Sequence, residues 1–322
     1  MFCLWLCLVL FLSALTGCSP QMIRVTGVYF DTVVQISADV PSDVLDGALE
    51  LCRYYDELWD ARSPKSDLFR INHSDSPVSV QPETLTLMRD AVEACRNSDG
   101  RFDITMASVS FLYDFQSEEL PEETAISDAL SRVDYRRIQI GEDSVCANGT
   151  SVDFGGIAKG YITDRLASYL KENGATRAVI NLGGNVLTFG KKDARVGIAK
   201  PFSSEICVTV EQTDGLSLVT SGIYQRYIEK DGRIYHHILD PKTGYGAEND
   251  LASATVISAC SETADALSTT CMLLGSGSAL EKINSLDGAE CVLILRDGSV
   301  RLSNGLTQKG GRIFFLSQKK TK

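Results

Sequence analysis

Helical stretches and β-branched runs are mixed along this chain without strict β-α-β alternation, and that pattern restricts the fold more than any other feature. Residues 43–59 repeat apolar side chains at 44, 48, 51, 52, 55, 58 and 59, one face of a helix, and Ser63-Pro64 follows. A second helix is predicted over 84–95, with its apolar face at 85, 88, 91, 92 and 95 and Gly100 close behind. A third runs over 158–172 and stops at Gly174; a fourth runs over 262–274, capped by Ser261 and ended by Gly275. Between them lie extended candidates in 25–38 around Val33, Val34 and Ile36, then in 178–182 and 186–189. A hairpin over 138–152 is expected to turn at Asn148-Gly149, and another pairs 291–295 with 300–302 across Asp297-Gly298. Residues 116–135 are polar and acidic, a surface excursion with one short helix. The class implied is α+β: one unit, compact or bilobed, with mixed sheets and flanking helices. With 322 residues, 44% of them hydrophobic, a sizeable core is available, and with only 8 Pro no low-complexity tract divides the chain.

A net charge of −11 with scattered acidic residues argues against a nucleic-acid surface, which needs a basic stripe. It leaves room for an anionic ligand, because backbone dipoles or a metal reverse the field locally. Met1 to Gly17 carries no charge and is rich in Leu and Phe. The run is too short to span a bilayer, so it reads as the core of an export signal. It ends in Leu15-Thr16-Gly17-Cys18, which looks like a bacterial lipoprotein box with Cys18 as the lipidated residue. The expected organisation is therefore a signal peptide over 1–17, an anchor and tether over 18–24, and a domain over 25–318. Seven cysteines then remain, an odd number with no C-x-x-C pair, so neither a disulfide framework nor a zinc site is expected.

Three segments carry chemistry. Asp153-Phe154-Gly155-Gly156-Ile157-Ala158-Lys159-Gly160-Tyr161 leads from a strand into a helix. Paired glycines let backbone approach a ligand, and free N–H groups at a helix start favour phosphate. Lys159 opposes the helix dipole there, which a bound anion would explain. The spacing fits neither the Rossmann nor the Walker pattern, and a tight turn needing small residues accounts for it equally well. Asp265 and Thr269 lie four apart on one helix face, a carboxylate and a hydroxyl suited to Mg2+; such pairs are also common without function. His236-His237 precedes the turn Asp240-Pro241-Lys242-Thr243-Gly244, where a His could act as acid or base or serve structure. Thr220-Ser221-Gly222-Ile223-Tyr224-Gln225-Arg226 reads as a polar site segment or a plain turn between strands.

The order of these segments resembles the ApbE family, the FAD:protein FMN transferases. The resemblance starts at Phe30-Asp31-Thr32, a variant of the family's Met-Gly-Thr, and continues through Ser66 to Asn72 and Gly100 to Thr105. It passes through Asp153 to Tyr161, Asp164, Asn181 to Asn185, Thr220 to Gly222, His237 to Gly244 and Ala264 to Thr269, covering nearly all of 25–305. It implies an exported protein, lipid-anchored on the outer face of the cytoplasmic membrane or periplasmic. It implies binding of FAD and Mg2+, transfer of FMN to a Thr or Ser hydroxyl of an acceptor flavoprotein, and release of AMP. By motif position the metal would be held by the Gly156 carbonyl, Asp265 and Thr269. Flavin contacts would fall on Phe30, Arg62, Met106, Ala107, Ser108, Asp153, Lys159 and His237. His237 would activate the acceptor hydroxyl, with Asp265 the other catalytic group. Two departures stand out: Phe30-Asp31 replaces Met-Gly, and Arg62 stands where many members carry an aromatic. The competing readings are an FAD pyrophosphatase and a non-catalytic flavin-binding lipoprotein.

Overall fold

A computed structural model describes residues 21–116 and 119–316. The export signal, Cys18 and the first residues of the tether lie outside the described residues, as do 317 and 318 of the expected domain. The centre is one eight-stranded sheet: β1 (Ile23–Tyr29), β2 (Thr32–Ala38), β3 (Ala178–Leu182), β4 (Asn185–Phe189), β5 (Leu216–Gly222), β6 (Leu251–Ser258), β7 (Ala289–Leu295) and β8 (Val300–Leu302). Within this sheet each strand lies beside the next of its members in chain order, and every pairing is antiparallel. Helices are inserted between strands as excursions rather than as crossovers, so the chain is an α+β fold in a single domain.

The helices are α1 (Ser42–Leu58), α2 (Asp67–Asn72), α3 (Pro82–Asn97), α4 (Ala107–Ser110), α5 (Glu123–Leu130), α6 (Ala158–Glu172), α7 (Ser261–Leu274) and α8 (Ser276–Asn284). The apolar stripe of α1 (Leu45, Ala48, Cys52) packs with Ile162, Leu166 and Leu170 of α6 against Val34, Ile36, Ile180 and Leu182 of the sheet. Further along the same core side, Ala264, Cys271 and Met272 of α7 cover Ala254, Val256 and Leu293. The opposite face of β5–β7 is covered by a four-stranded sheet (Arg195–Ala199, Ile206–Glu211, Leu306–Lys309, Arg312–Phe315), which packs Val208, Val210 and Ile313 on Leu218, Ile257 and Val292. With both faces covered, all eight residues of β6 are buried.

Three local expectations are corrected. Asn148-Gly149 has the expected left-handed pair (φ 50 and 76) but closes no hairpin. Ser144–Cys146 pairs with Gln139–Ile140, so the hairpin turns through 141–143, and the chain beyond Gly149 leaves to bridge Met106. Ser261 is not the cap of α7: its hydroxyl donates to Asn185 Oδ1 at 2.7 Å, and the helix start is capped from outside by Asp164. The acidic excursion is not purely superficial, because Ile126 and Ala129 of α5 are buried with Val109 and Leu239.

Candidate active site

The glycine-rich loop is held at both ends by side chains distant in sequence. Asn72 brackets Val152, donating Nδ2–H to its carbonyl at 2.8 Å and accepting its N–H at 2.7 Å. Ser108 Oγ accepts the Ser151 N–H at 3.0 Å, and the Asp153 N–H donates to the Ile104 carbonyl at 2.9 Å. The segment of Met106, Ala107 and Ser108 therefore backs the loop: Ala107 and Ser108 are buried, and Met106 is half-buried. Asp153 Oδ1 then accepts the Gly155 N–H at 2.9 Å and turns the chain. Phe154 and Ile157 are buried on either side of Gly155-Gly156, which fixes the loop while leaving its backbone accessible. A Cβ on Gly156 would lie 2.7 Å from the Phe102 ring, so the close approach needs glycine there.

Helix α6 starts directly after, and Lys159 in its first turn donates Nζ–H to the Gly155 carbonyl at 2.9 Å. One residue on, Gly160 lets α6 touch α7: a Cβ there would meet the Ser261 carbonyl oxygen at 2.4 Å. The Gly160 N–H donates to Asp265 Oδ2 at 2.9 Å. Asp265 is buried, and burial raises its pKa while the Lys159 ammonium and the Gly160 N–H oppose the rise. No hydrogen bond to its other oxygen occurs among the described residues. Thr269, one turn further, presents Oγ1 3.5 Å from the position of a Gly156 Cβ, so its hydroxyl adjoins the loop. Ser221 at the end of β5 orients this turn, with its Oγ 2.7 Å from Ser268 Oγ and 3.3 Å from Thr269 Oγ1. A carboxylate, a hydroxyl and the carbonyl of Gly156 suit a hard cation that completes its shell with water and phosphate. Among the described residues no cluster of three or more His, Cys, Asp or Glu offers another metal site.

His237 follows the strand Arg233–His236 and is half-buried. Its backbone N–H donates to the Arg226 carbonyl at 3.1 Å, and Nδ1 lies 3.2 Å from the same oxygen. A carbonyl only accepts, so Nδ1 carries the proton and Nε2 keeps its lone pair. Burial pulls its pKa down to about 4; the Arg226 carbonyl bond opposes this, and the Arg226 and Lys159 charges add to it. The imidazole is neutral at pH 7, a base and not an acid. His236 differs: it is 2% exposed, with Nε2 3.2 Å from the Ala247 carbonyl, a structural residue.

Phe30 and Asp31 form the β1–β2 hairpin tip, with φ of 55 and 54. The Phe30 N–H donates to Asp56 Oδ1 at 2.8 Å. Arg62 is 81% exposed, 3.3 Å from Asp60 and 3.9 Å from Asp31. Of the residues expected from sequence, the structure brings together Gly156 with Thr269, Asp265 with Gly160, Lys159 with Gly155, and the hairpin tip with Arg62. Sequence reasoning did not assign roles to Asn72, Ser221, Asp31 or Arg226. Their motif positions were visible, but their partners lie far away in the chain.

The family model described as the ApbE family matches residues 30–293. A protein of Klebsiella pneumoniae named FAD:protein FMN transferase is 32% identical over 265 residues, covering 79% of this chain and 83% of that protein. One of the same name from Treponema pallidum is 28% identical, covering 86% and 84%. Among solved structures, the ApbE protein of Thermotoga maritima is similar with a TM-score of 0.81 at 28% identity, covering 88% of this chain and 97% of that one. The Pseudomonas stutzeri flavinyl transferase ApbE gives 0.78 at 27%, covering 88% and 95%.

Proposed function

The chain belongs to the ApbE family, and from that premise we propose that it is an FAD:protein FMN transferase that works with Mg2+ on a Thr or Ser hydroxyl of an acceptor protein. The observation that carries this reading is that Lys159 and Thr269 meet the exposed backbone of Gly155-Gly156, while Asp265, one turn before Thr269, accepts the N–H of Gly160 just beyond the loop. The Gly156 carbonyl, Asp265 and Thr269 would hold the metal, which when bound offsets charge on the phosphoryl oxygens. Phe30, Arg62, Met106 to Ser108, Asp153 and Lys159 would contact or support the dinucleotide.

The acceptor hydroxyl oxygen attacks the phosphorus of the FMN half, and the bond from that phosphorus to the bridging oxygen breaks. FMN becomes a phosphoester of the acceptor and AMP departs with the bridging oxygen. The hydroxyl proton passes to His237 Nε2, which the Nδ1 contact with Arg226 leaves unprotonated. Lys159 faces the anion from the helix start.

The test is incubation of the protein with FAD, Mg2+ and a candidate acceptor domain. Flavin fluorescence that stays with the acceptor on a denaturing gel is expected; release of free FMN and AMP alone would mean hydrolysis instead of transfer. The reading includes export and anchoring through Cys18. Metabolic labelling with a fatty acid should mark the wild-type protein and not Cys18→Ala, and equal labelling of both would reject the anchor.

A further inference from the structure

The hairpin tip holds a carboxylate that the fold does not need. Phe30 and Asp31 occupy the two left-handed positions of a two-residue hairpin loop, where glycine or asparagine fits with less strain. Two guanidinium groups from separate loops approach Asp31. Arg62 Nη2 lies 3.9 Å from Oδ1, and Arg226 Nη2 lies 3.9 Å from Oδ2. Both separations exceed hydrogen-bond length, and the three side chains are 67%, 81% and 56% exposed for Asp31, Arg62 and Arg226. Ion pairs of this kind add little stability.

The main chain of Arg226 is held far more firmly. Its carbonyl accepts both the backbone N–H and the Nδ1–H of His237, so this guanidinium projects from the residue that orients the imidazole. Its charge, together with that of Lys159, is felt at His237. Lys159 leans on a neutral carbonyl, while Arg226 leans on a distant carboxylate. A firmly based but loosely paired guanidinium, with the Arg62 guanidinium on the other oxygen of the same carboxylate, suits a ligand with two adjacent anionic groups.

We propose that Arg226 is a diphosphate-binding residue of the FAD site and that Asp31 is its internal counter-anion, displaced when the dinucleotide binds. This rests on the transferase reading above and adds to it a residue and a competition. Asp31 competes for the Arg226 guanidinium while the site is empty, at the expense of affinity. Removing the carboxylate frees the guanidinium; removing the guanidinium removes a phosphate contact.

The experiment titrates the full-length protein, with Mg2+, against FAD, inorganic pyrophosphate and riboflavin, the last having no phosphate. Arg226→Gln is expected to weaken FAD and pyrophosphate about 10- to 100-fold, the range for a lost charge-assisted contact, and to leave riboflavin unchanged. Arg226→Lys should recover part of the loss. Asp31→Asn, which tolerates the same backbone angles, should bind FAD several-fold more tightly. The proposal is overturned if Arg226→Gln binds FAD as wild type does, if it loses riboflavin and FAD equally, or if Asp31→Asn weakens FAD. Wild-type protein that binds pyrophosphate through Arg226 but not FAD would reject the transferase reading alone. Binding of neither would reject both.

Discussion

The Asp265 carboxylate accepts the Gly160 backbone N–H at 2.9 Å, and this bond joins the first turn of the helix that follows the glycine-rich loop to the helix that carries Asp265 and Thr269. It is possible only because residue 160 has no side chain. A Cβ there would lie 2.4 Å from the Ser261 carbonyl oxygen, 2.6 Å from Glu262 Cα and 2.8 Å from Asp265 Cβ, all on one helix. Gly160→Ala must push α6 and α7 apart. The expected destabilisation is about 1–3 kcal/mol in urea unfolding, as for an overpacked core, with transfer activity lost at temperatures where the variant is still folded. A variant with wild-type activity would show that this helix spacing is not what holds Asp265 in place.

Asp265→Asn should separate function from stability. Burial raises the Asp265 pKa, so the fold bears a carboxylate it does not solvate. Asparagine keeps an oxygen for the Gly160 N–H and removes the charge. Without metal the variant is expected to melt no lower than wild type, while FMN transfer falls at least about 100-fold, the scale for loss of a charged group acting on a phosphoryl centre. Unchanged transfer would remove Asp265 from the chemistry.

Ser221 is expected to act through Thr269. Its hydroxyl lies 2.7 Å from Ser268 Oγ and 3.3 Å from Thr269 Oγ1, and Ser268 in turn donates to the Asp265 carbonyl at 2.9 Å. Supporting bonds of this kind orient ligands, and their loss typically lowers metal affinity about 10–100-fold. Ser221→Ala should raise the Mg2+ concentration needed for half-maximal transfer by that factor, with near-wild-type rate at saturating Mg2+. A reduced rate at saturation with an unchanged Mg2+ requirement would contradict this role.

Much of this was legible in the chain, and the gaps have physical causes. Three of the four long helices bury one face at helical period, as α1 does with Leu45, Ala48, Cys52 and Tyr55, while α7 is buried nearly all round and is legible from Gly275 at its end. The eight residues of β6 were not readable. It is covered on both faces and built from Ala, Ser and Thr beside Val and Ile, so it shows neither alternation nor a strong apolar run. Asn148-Gly149 has the right turn chemistry, but its two arms take different partners, which local sequence does not encode. The cap of α7 comes from Asp164, 97 residues before Ser261, while the local serine is used on Asn185. At the site, the spacing of Asp265 and Thr269 was visible as one helix face. The Asp31 and Arg226 approach was not, because it depends on how a hairpin tip and a loop meet in space.

Glu262 in the first turn of α7 should make the protein less stable in alkali. Burial, with Asp90 and Asp164 adding, pushes its carboxyl up to about 8 from an ordinary 4.5. It also lines a cavity of about 340 Å³ between α3 and α7. A raised folded pKa contributes stability that is full below about 4.5 and lost as pH rises through about 8. Glu262→Gln keeps the shape without the proton. The expected outcome is a gain of about 1–2 kcal/mol over wild type at pH 8.5 that vanishes at pH 4.5, discounted for partial exposure. An equal difference at both pH values would assign the effect to packing.

The two adjacent histidines should produce the opposite limb, and for different reasons. Burial pulls both from 6.5 down to about 4, but His236 is 2% exposed while His237 is half-buried at the site. For each, the unfolded chain takes up a proton below about 6.5 that the folded protein refuses until about 4. Stability is therefore full above 6.5 and falls as pH drops through that window. For His236 alone the loss between pH 7 and pH 5 is about 2 kcal/mol, because within the window each step of one in pH costs about 1.4 kcal/mol. His236→Phe removes the titrating group from its buried position; it gives up one hydrogen bond to the Ala247 carbonyl, about 1 kcal/mol at every pH. Its unfolding free energy should consequently be lower than wild type at pH 7 and comparable or higher at pH 5. His237→Gln should remove an equal share of the acid limb, since its shift is the same, and should in addition lose transfer if its imidazole takes the acceptor's proton as proposed. Urea unfolding at the two pH values, paired with the acceptor assay, reads both. If His236→Phe loses as much stability on acidification as wild type, the acid limb belongs to other groups and the buried neutral His236 is not its source.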